Sequence, residues 1–378
     1  MDLQRILIIG AIAVLSFMLL TEWTAFKEER SSAIAQDTSR LLVPENAKVA
    51  NSDLPPAIPA EPRSTANNED LPVVPAESTP EHAPAVAAES IAPAQRLIRV
   101  QTDVLKFVVD LEGGDIIELS LPKHLEKQDS DDPFVLLEQN DQLVYIARSG
   151  LIGADGIDSD GRATFTAASG EFNLEENSDS LVVDLQWQGS TDIEVTKRFS
   201  LNRSDYLVEV EYLVTNNSNE RWQANLFGQI KRESALPPSQ DTAAMGMQPF
   251  LGVATTQPDD RFNKFTFDDL QDESFKLKNT GGWIAMIQHY FLSAWVPNPE
   301  QSHNYSARHS SSGFNIAEFT SPALVLDSGK SGKVGAGFYA GPKDQYRLRE
   351  ISPYLDLSVD YGWLWWIAQP PVSYTHLT

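Results

Sequence analysis

A two-residue alternation of apolar and polar side chains, beginning near residue 105, most strongly constrains how this chain can fold. Within "TDVLKFVVDLEGGDIIELSLP", residues 102–122, apolar residues occupy every second position from Leu105 to Leu111 and again from Ile117 to Leu121. Successive side chains of a β-strand point to opposite faces, and the Gly113-Gly114 pair between the two runs permits a tight reversal. The pattern predicts a β-hairpin with one buried face.

The same alternation recurs further along the chain. It is present in "SLVVDLQWQG" (180–189), "IEVTKRFSLN" (193–202) and "YLVEVEYLVTNNS" (206–218), each bounded by clusters of Asn, Ser, Gly or Asp that favour turns. Many strands without helices between them indicate an antiparallel sandwich, so the fold class is mainly β. The glycine-rich stretch 329–342 fits no nucleotide-binding loop and reads as a turn followed by a strand.

A helical pattern is found only near the end of the chain. In "KDQYRLREISPYL", Tyr346, Leu348 and Ile351 lie among charged residues before Pro353 interrupts the pattern. We predict a helix over residues 343–356 that packs on the sandwich.

Composition narrows the class of protein. The chain has 378 residues, of which 42% are hydrophobic, so it can bury a sizeable core. Its formal net charge of −24 argues against binding to nucleic acid. Because it contains no cysteine, it has no disulfide, thiolate metal site or cysteine nucleophile, which fits an oxidising compartment.

The first residues carry a membrane signal. The run Ile6 to Leu20 is uncharged, and its extension to Trp23 is long enough to cross a bilayer core. A cleavable signal peptide is the alternative, since Ala33-Ile34-Ala35 matches a cleavage pattern, but the charged stretch 27–30 separates that site from the apolar run. We expect residues 1–23 to be an uncleaved transmembrane anchor. The positive charges on its two sides do not decide its orientation.

Residues 24–95 predict an acidic tether. The segment is rich in Pro, Ala, Glu and Ser and shows neither strand nor helix periodicity, so it cannot offset the entropy lost on ordering. A plain disordered linker is favoured over a proline-rich ligand.

Residues that could carry covalent chemistry are scattered. Two histidines, His82 and His376, lie in the tether and in the tail; the others, which show no metal-ligand spacing, are His124, His289, His303 and His309. We therefore predict no catalytic residue, no metal site and no cofactor.

Two long stretches resemble a known family. "GGWIAMIQHYFLSAWVP" (281–297) and "YLDLSVDYGWLWWIAQP" (354–370) are similar to segments of the Gram-negative members of the YidC/Oxa/Alb family of membrane protein insertases. Shorter matches are "SGLIGADG" from Ser149, "FGQIK" from Phe227 and "LPPSQDT" from Leu236. Their order and spacing follow the family from residue 1 to about residue 370, apart from the tether.

The resemblance implies a fold and a function. It implies a transmembrane helix with its amino end in the cytoplasm, then a periplasmic domain over residues 96–342 with a galactose-mutarotase-like β-supersandwich fold, capped by C-terminal helices. The family inserts nascent membrane proteins into the bacterial inner membrane, alone or with the Sec translocon, and acts as a folding chaperone. No enzymatic chemistry is implied.

The aromatic segment near the end has two interpretations. By resemblance, residues 357–370 form an interfacial helix leading to a second transmembrane helix, with Trp363, Trp365 and Trp366 contacting membrane lipids. The alternative is an aromatic cluster buried in the sandwich. Residues 371–378 match nothing expected of the family, so we expect a truncated or foreign reading frame without the insertase core.

The resemblance also implies a partner surface. In the family, the periplasmic domain contacts the translocon subunit SecF through a region corresponding to residues 227–269. The residues nominated there are Phe227, Gln229, Lys231, Phe262, Phe265 and Phe267. Residue chemistry alone gives an edge strand and a long surface loop for this stretch.

Two other functions remain open. The domain could be purely a periplasmic interaction module. It could instead belong to a membrane-anchored carbohydrate-binding or mutarotase-like protein, which would require a histidine and a carboxylate converging in a cleft with aromatic platforms.

Overall fold

The computed structural model describes residues 70–72, 96–126, 131–141, 143–189, 192–235 and 250–359. All of these residues lie in one compact unit. The predicted anchor (1–23), the three tryptophans of 357–370 and the tail (371–378) fall outside the described residues. Within the described ranges, no helix has the length and apolar character needed to cross a bilayer.

The described chain is mainly β. In order its strands are β1 (Leu97–Gln101), β2 (Lys106–Asp110), β3 (Asp115–Leu125), β4 (Pro133–Gln139), β5 (Val144–Ile152), β6 (Phe165–Ala167), β7 (Glu171–Asn173), β8 (Ser180–Trp187), β9 (Ile193–Asn202), β10 (Leu207–Asn216), β11 (Trp222–Arg232), β12 (Gly252–Thr255), β13 (Asn263–Thr266), β14 (Phe275–Thr280), β15 (Ile284–Ile287), β16 (Phe291–Pro297), β17 (Ser302–His309), β18 (Asn315–Leu326) and β19 (Lys330–Pro342).

These strands form two sheets. The larger has the order β14-β17-β18-β11-β5-β4-β3-β2-β1-β7, and the smaller has the order β13-β12-β15-β16-β19-β10-β9-β8-β6. Neighbouring strands are antiparallel except for β1 and β7, which run parallel. The predicted antiparallel sandwich is therefore confirmed.

A shared core lies between the sheets. Strand β10 buries Val208, Val210, Tyr212 and Val214 on alternate positions, as its sequence pattern predicts. Hydrogen bonds also cross the interface: Trp295 of the smaller sheet donates from Nε1 to the backbone oxygen of Gln229 in the larger sheet at 3.2 Å.

The predicted hairpin forms, but one of its buried positions is wrong. Strands β2 and β3 pair antiparallel around Gly113 and Gly114, which both have positive φ. The register shifts between Val108, which pairs with Glu118, and Val109, which pairs with Ile116. This β-bulge turns Ile117 partly outward and buries Ile116, so the alternation does not continue in phase through the turn.

Within the part of the chain that the structure describes, two short α-helices accompany the sheets. Helix α1 (Phe267–Asp272) begins at a capping box between Thr266 and Asp269, and α2 (Gln345–Ile351) begins at Asp344. The helix expected over residues 343–356 is shorter than predicted, because α2 ends before Pro353 and the chain resumes as a 3-10 helix at Leu355–Ser358.

A second apolar cluster covers the outer face of the smaller sheet. Leu348 of α2 and Leu355 of the 3-10 helix are buried against Trp283, whose Nε1 donates to the backbone oxygen of Pro353 at 3.1 Å. Burial of these side chains attaches the C-terminal helices to the sandwich.

The tether prediction does not hold at residues 70–72. Asp70 is 1% exposed and Leu71 is 8% exposed, both against strands of the larger sheet. A plain spacer would leave both side chains in solvent. Burial and a salt bridge to Lys231 instead hold this short segment on the domain.

Gly228 in β11 offers a sharp test of packing between the sheets. A Cβ atom there would collide with the Phe319 ring and lie 2.7 Å from Cδ2 of Trp295. We expect Gly228→Ala to lower the free energy of unfolding by about 1–3 kcal/mol, the usual cost of overpacking a dense core, measured by urea denaturation. Gly170→Ala is the control, because a Cβ there meets nothing within 4 Å. Equal stability of the two variants would contradict the packing described.

Candidate functional site

Three of the six nominated partner-contact residues are buried. Strand β11 is not an edge strand, because it pairs with β18 on one side and β5 on the other. Phe227 and Gln229, both on β11, are fully buried, and Phe267 at the start of α1 is 7% exposed. Buried side chains cannot touch a partner in this conformation, so the nominated surface narrows to the partly exposed Lys231, Phe262 and Phe265.

The accessible aromatic residues lie beside the edge of the smaller sheet. Phe265 is on edge strand β13 and packs against Phe275 with the two rings tilted and their centroids 4.6 Å apart. Phe262 packs at 5.9 Å from the Trp283 ring, and the ammonium of Lys264 lies 5.9 Å from the Phe262 ring. The result is an aromatic surface with a basic residue, which is suited to contact with a protein partner.

Arg232, at the end of β11, explains why Phe267 is buried. Its guanidinium lies 4.6 Å from the ring of Tyr145 and 5.9 Å from the ring of Phe267. Its Nη2 donates to the backbone oxygen of Ala235 at 3.4 Å. Burial lowers the pKa of Arg232 from its ordinary value, so the two rings serve as a partly compensating environment for the cation.

A cluster of buried charges lies between the sheets. Arg162 donates to Asp158 at 2.8 Å and to Asp115 at 2.5 Å. Arg148 pairs with Asp115 at 3.3 Å. Burial alone would lower the pKa of Arg162, but the charges of Asp115 and Asp158 raise it above its ordinary value. The guanidinium therefore stays charged inside the domain.

Lys197 of β9 brings the smaller sheet into the same cluster. Its Nζ donates to the backbone oxygens of Gly113 at 3.0 Å and Ser149 at 3.2 Å, and Nη2 of Arg162 donates to the same two oxygens. The side chain is fully buried, and burial lowers the pKa of Lys197 to about 7. Because no part of this amine reaches solvent, the cluster cross-links the sheets and does not offer a binding site.

The four described histidines contact neutral groups. His124 bonds to the Tyr206 hydroxyl at 3.0 Å, His303 to the backbone oxygen of Asn298 at 2.8 Å and His309 to the Asn315 side chain at 3.0 Å. His289 stacks on Tyr290. None of these contacts of the described histidines is made with a carboxylate, whereas a mutarotase-like site needs a histidine and a carboxylate that converge. Nor do those ranges hold a group of three or more His, Asp or Glu side chains suited to a metal ion.

An open cleft of about 590 Å³ lies on the outer face of the smaller sheet, beside α2. It is lined by Glu209 and Glu211 of β10, Lys333 of β19 and the segment 296–301, which includes Glu300. Burial raises the pKa of Glu209, and the neighbouring charge of Glu211 raises it further. The cleft is thus shallow and acidic, and it carries no arrangement of nucleophile and base.

Two features of the sequence could have predicted the buried Lys197 and the start of α1. Lys197 stands in phase with Val195, Phe199 and Leu201 on the inward face of β9, and a lysine on an apolar face marks a buried charge. The Thr266–Asp269 capping box marks the start of α1 within what reads as a loop. Asp70 gave no signal, because one acidic residue in an acidic tether is unremarkable.

Comparison with known proteins places this domain in a class. Residues 97–373 match the family described as YidC periplasmic domain. A protein from Cellvibrio japonicus named membrane protein insertase YidC is 41% identical over 377 residues, covering 98% of this chain and 63% of the relative. A protein of the same name from Stutzerimonas stutzeri is 38% identical over 374 residues, covering 98% of this chain and 64% of the relative. The chain belongs to the YidC family, and it spans less than two thirds of the length of these relatives.

The solved structures found by comparison share little sequence with this chain. A galactose mutarotase related enzyme from Lactobacillus acidophilus has a TM-score of 0.41 and 13% identity, covering 65% of this chain and 97% of that one. A galactose mutarotase-like protein from Lactobacillus casei has a TM-score of 0.42 and 12% identity, covering 65% of this chain and 99% of that one.

The buried amine of Lys197 predicts a specific pH dependence of stability. With its folded-state pKa near 7 and an unfolded value near 10.5, the unfolded chain binds more protons between these pH values, so this group makes stability rise with pH. Lys197→Met removes the group and leaves both carbonyl oxygens bonded to Arg162. We expect the free energy of unfolding of the original chain to rise relative to that of the variant by up to about 1.4 kcal/mol per pH unit between about pH 7 and 10.

Denaturant unfolding across that pH range measures the difference. Lys333→Met is the control, because the Lys333 side chain is exposed and pairs with Glu211 at the surface; its pH dependence should match that of the original chain. A Lys197→Met variant with the same pH dependence as the original chain would show that the amine is not held in the low-pKa state described.

Proposed function

We propose that this chain provides the anchor and periplasmic domain of a membrane protein insertase and folding chaperone, which inserts nascent membrane proteins into the bacterial inner membrane alone or with the Sec translocon. The supporting observation is the 41% identity, across 98% of the chain, to a relative named membrane protein insertase YidC. Such a function needs no enzymatic chemistry, because a hydrophobic segment gains free energy by leaving water for the bilayer.

The proposed topology follows the sequence. Residues 1–23 anchor the chain, 24–95 form a tether, 96–342 form the periplasmic sandwich of mutarotase-like supersandwich type, and 343–356 form the region of helices packed on it. Residues 357–370 then lie at the membrane surface with Trp363, Trp365 and Trp366 among the lipid headgroups, where tryptophan's apolar ring and polar N–H are both satisfied.

We further propose that SecF contacts the partly exposed residues Lys231, Phe262 and Phe265. Support comes from their partial exposure and from the position of Phe265 on an edge strand. Aromatic residues beside a sheet edge are a common basis for protein recognition, because they bury a large area while losing little conformational freedom.

Depletion of the protein from its own cells tests the insertase function. With the gene under a repressible promoter, a single-span membrane protein carrying a periplasmic reporter domain should lose protease accessibility several-fold as the protein is depleted. Restoring expression should restore accessibility. Unchanged insertion of a panel of single-span and multi-span membrane proteins after full depletion would contradict the proposal.

Photocrosslinking tests the partner surface separately. A photoreactive phenylalanine analogue at Phe262 in the membrane-bound protein should capture SecF on irradiation. The same analogue at Tyr290, an aromatic residue that is 67% exposed outside the proposed surface, is the control. Capture from Tyr290 but not Phe262, or from neither, would rule out this surface as the SecF contact while leaving the insertase proposal standing.

A further inference from the structure

A pocket on the larger sheet holds the carboxylate and backbone of Asp70. Nζ of Lys231 lies 2.5 Å from Oδ2 of Asp70, and the Ser312 hydroxyl donates to Oδ1 at 3.0 Å. The backbone oxygen of Asp70 accepts hydrogen bonds from Gln229 Nε2 at 2.5 Å and Arg308 Nη2 at 2.9 Å. We call this set, Gln229, Lys231, Arg308 and Ser312, the Asp70 pocket.

The next residue fills an apolar depression beside this pocket. Leu71 packs with Ile152 of β5 and Phe227 of β11 in a small cluster of buried side chains. An acidic residue followed by leucine therefore meets two adjacent and chemically distinct sites. Burial of one leucine contributes roughly 1.5–3 kcal/mol before the entropy of ordering is subtracted.

Two donors of the pocket are also held by residues other than Asp70. Gln229 accepts a hydrogen bond from Arg148 at 3.2 Å through Oε1, which directs Nε2 toward Glu318 at 2.8 Å and toward Asp70. Arg308 is held by Glu318 at 3.4 Å. Donors fixed by other residues lose little freedom on binding, which favours a specific site over an incidental contact.

The positive charge of the pocket also matches the negative charge of the Asp70 carboxylate. Burial alone would raise the pKa of Asp70, but hydrogen bonding and the charge of Lys231 hold it below its ordinary value, with help from Ser312 and Ser310. The ammonium of Lys231 lies 3.9 Å from the ring of Phe314, so its position is fixed from a second side. The carboxylate thus docks in its ionised form.

We propose that this pocket and the adjoining depression form a peptide-docking site specific for an Asp-Leu pair, and that its occupant is Asp70–Leu71 of this chain's own tether. The tether is then fixed to the sandwich at two places, residues 70–72 and strand β1. The reach of the domain from the anchor is set by the residues before Asp70 instead of by the whole segment 24–95. This inference rests on the described contacts and is independent of the proposed insertase function.

The absence of cysteine from the chain allows a direct test. Leu71→Cys in the full chain, solubilised in detergent, should react with a maleimide reagent at least about tenfold more slowly than Val182→Cys, a surface position that is 49% exposed. Adding Asp70→Lys places two like charges together and removes a charge-assisted bond, so the Leu71→Cys reaction should accelerate by about tenfold or more. Glu220→Lys makes the same charge change at an exposed site and should leave the rate unchanged.

Reversing both charges of the Asp70–Lys231 pair provides the second part of the labelling experiment. Asp70→Lys combined with Lys231→Glu restores opposite charges, and it should slow the labelling of Leu71→Cys again. Rapid labelling of Leu71→Cys without any other change would overturn the proposal. So would a rate that Asp70→Lys leaves unaltered, since this substitution lies in the tether and does not disturb the sandwich strands.

Discussion

The fold of this domain depends on the interior that its two sheets share, and the buried guanidinium of Arg162 is the centre of a charged cluster in that interior. Its guanidinium is held by Asp115 and Asp158, and it shares two backbone oxygens with Lys197 from the opposite sheet. Removing one member of such a buried set leaves another charge uncompensated, which is far more costly than the pair is stabilising. The cluster therefore fixes how the sheets align, while the surrounding apolar side chains supply most of the free energy of folding.

This interior also determines where function can lie. The charged cluster is enclosed, and Phe227 and Gln229 are covered by Leu71 and Asp70 of the tether. A partner protein can therefore reach only the surfaces and sheet edges that remain exposed. Gln229 connects the charged cluster to the tether, because it accepts a hydrogen bond from Arg148 and donates one to the buried backbone oxygen of Asp70. A sandwich that displays sheet edges and an aromatic patch has surfaces suited to contact with another protein.

The sequence predicted the strands well where burial alone decides them. Strands β9 and β10 lie almost where the alternation places them, since each has one face in the core. The position of Ile117 was wrong because a bulge depends on how β2 and β3 pair, which a single strand does not encode. The central position of β11 and the burial of Phe227 were missed for a similar reason: its neighbours β5 and β18 lie far away in sequence. Asp70 was beyond prediction, because its partners lie about 160 to 240 residues further along the chain.

The contact between the tether and the sandwich gives the most direct test of this architecture. Spin labels at Pro72→Cys, which is partly buried, and at Val135→Cys on β4, which is 41% exposed, would report their separation by pulsed dipolar spectroscopy of the full chain. If the tether is docked at Asp70, we expect a single narrow distance distribution, because both labels are then attached to the same compact unit. A broad distribution of the kind given by a freely moving segment would contradict it.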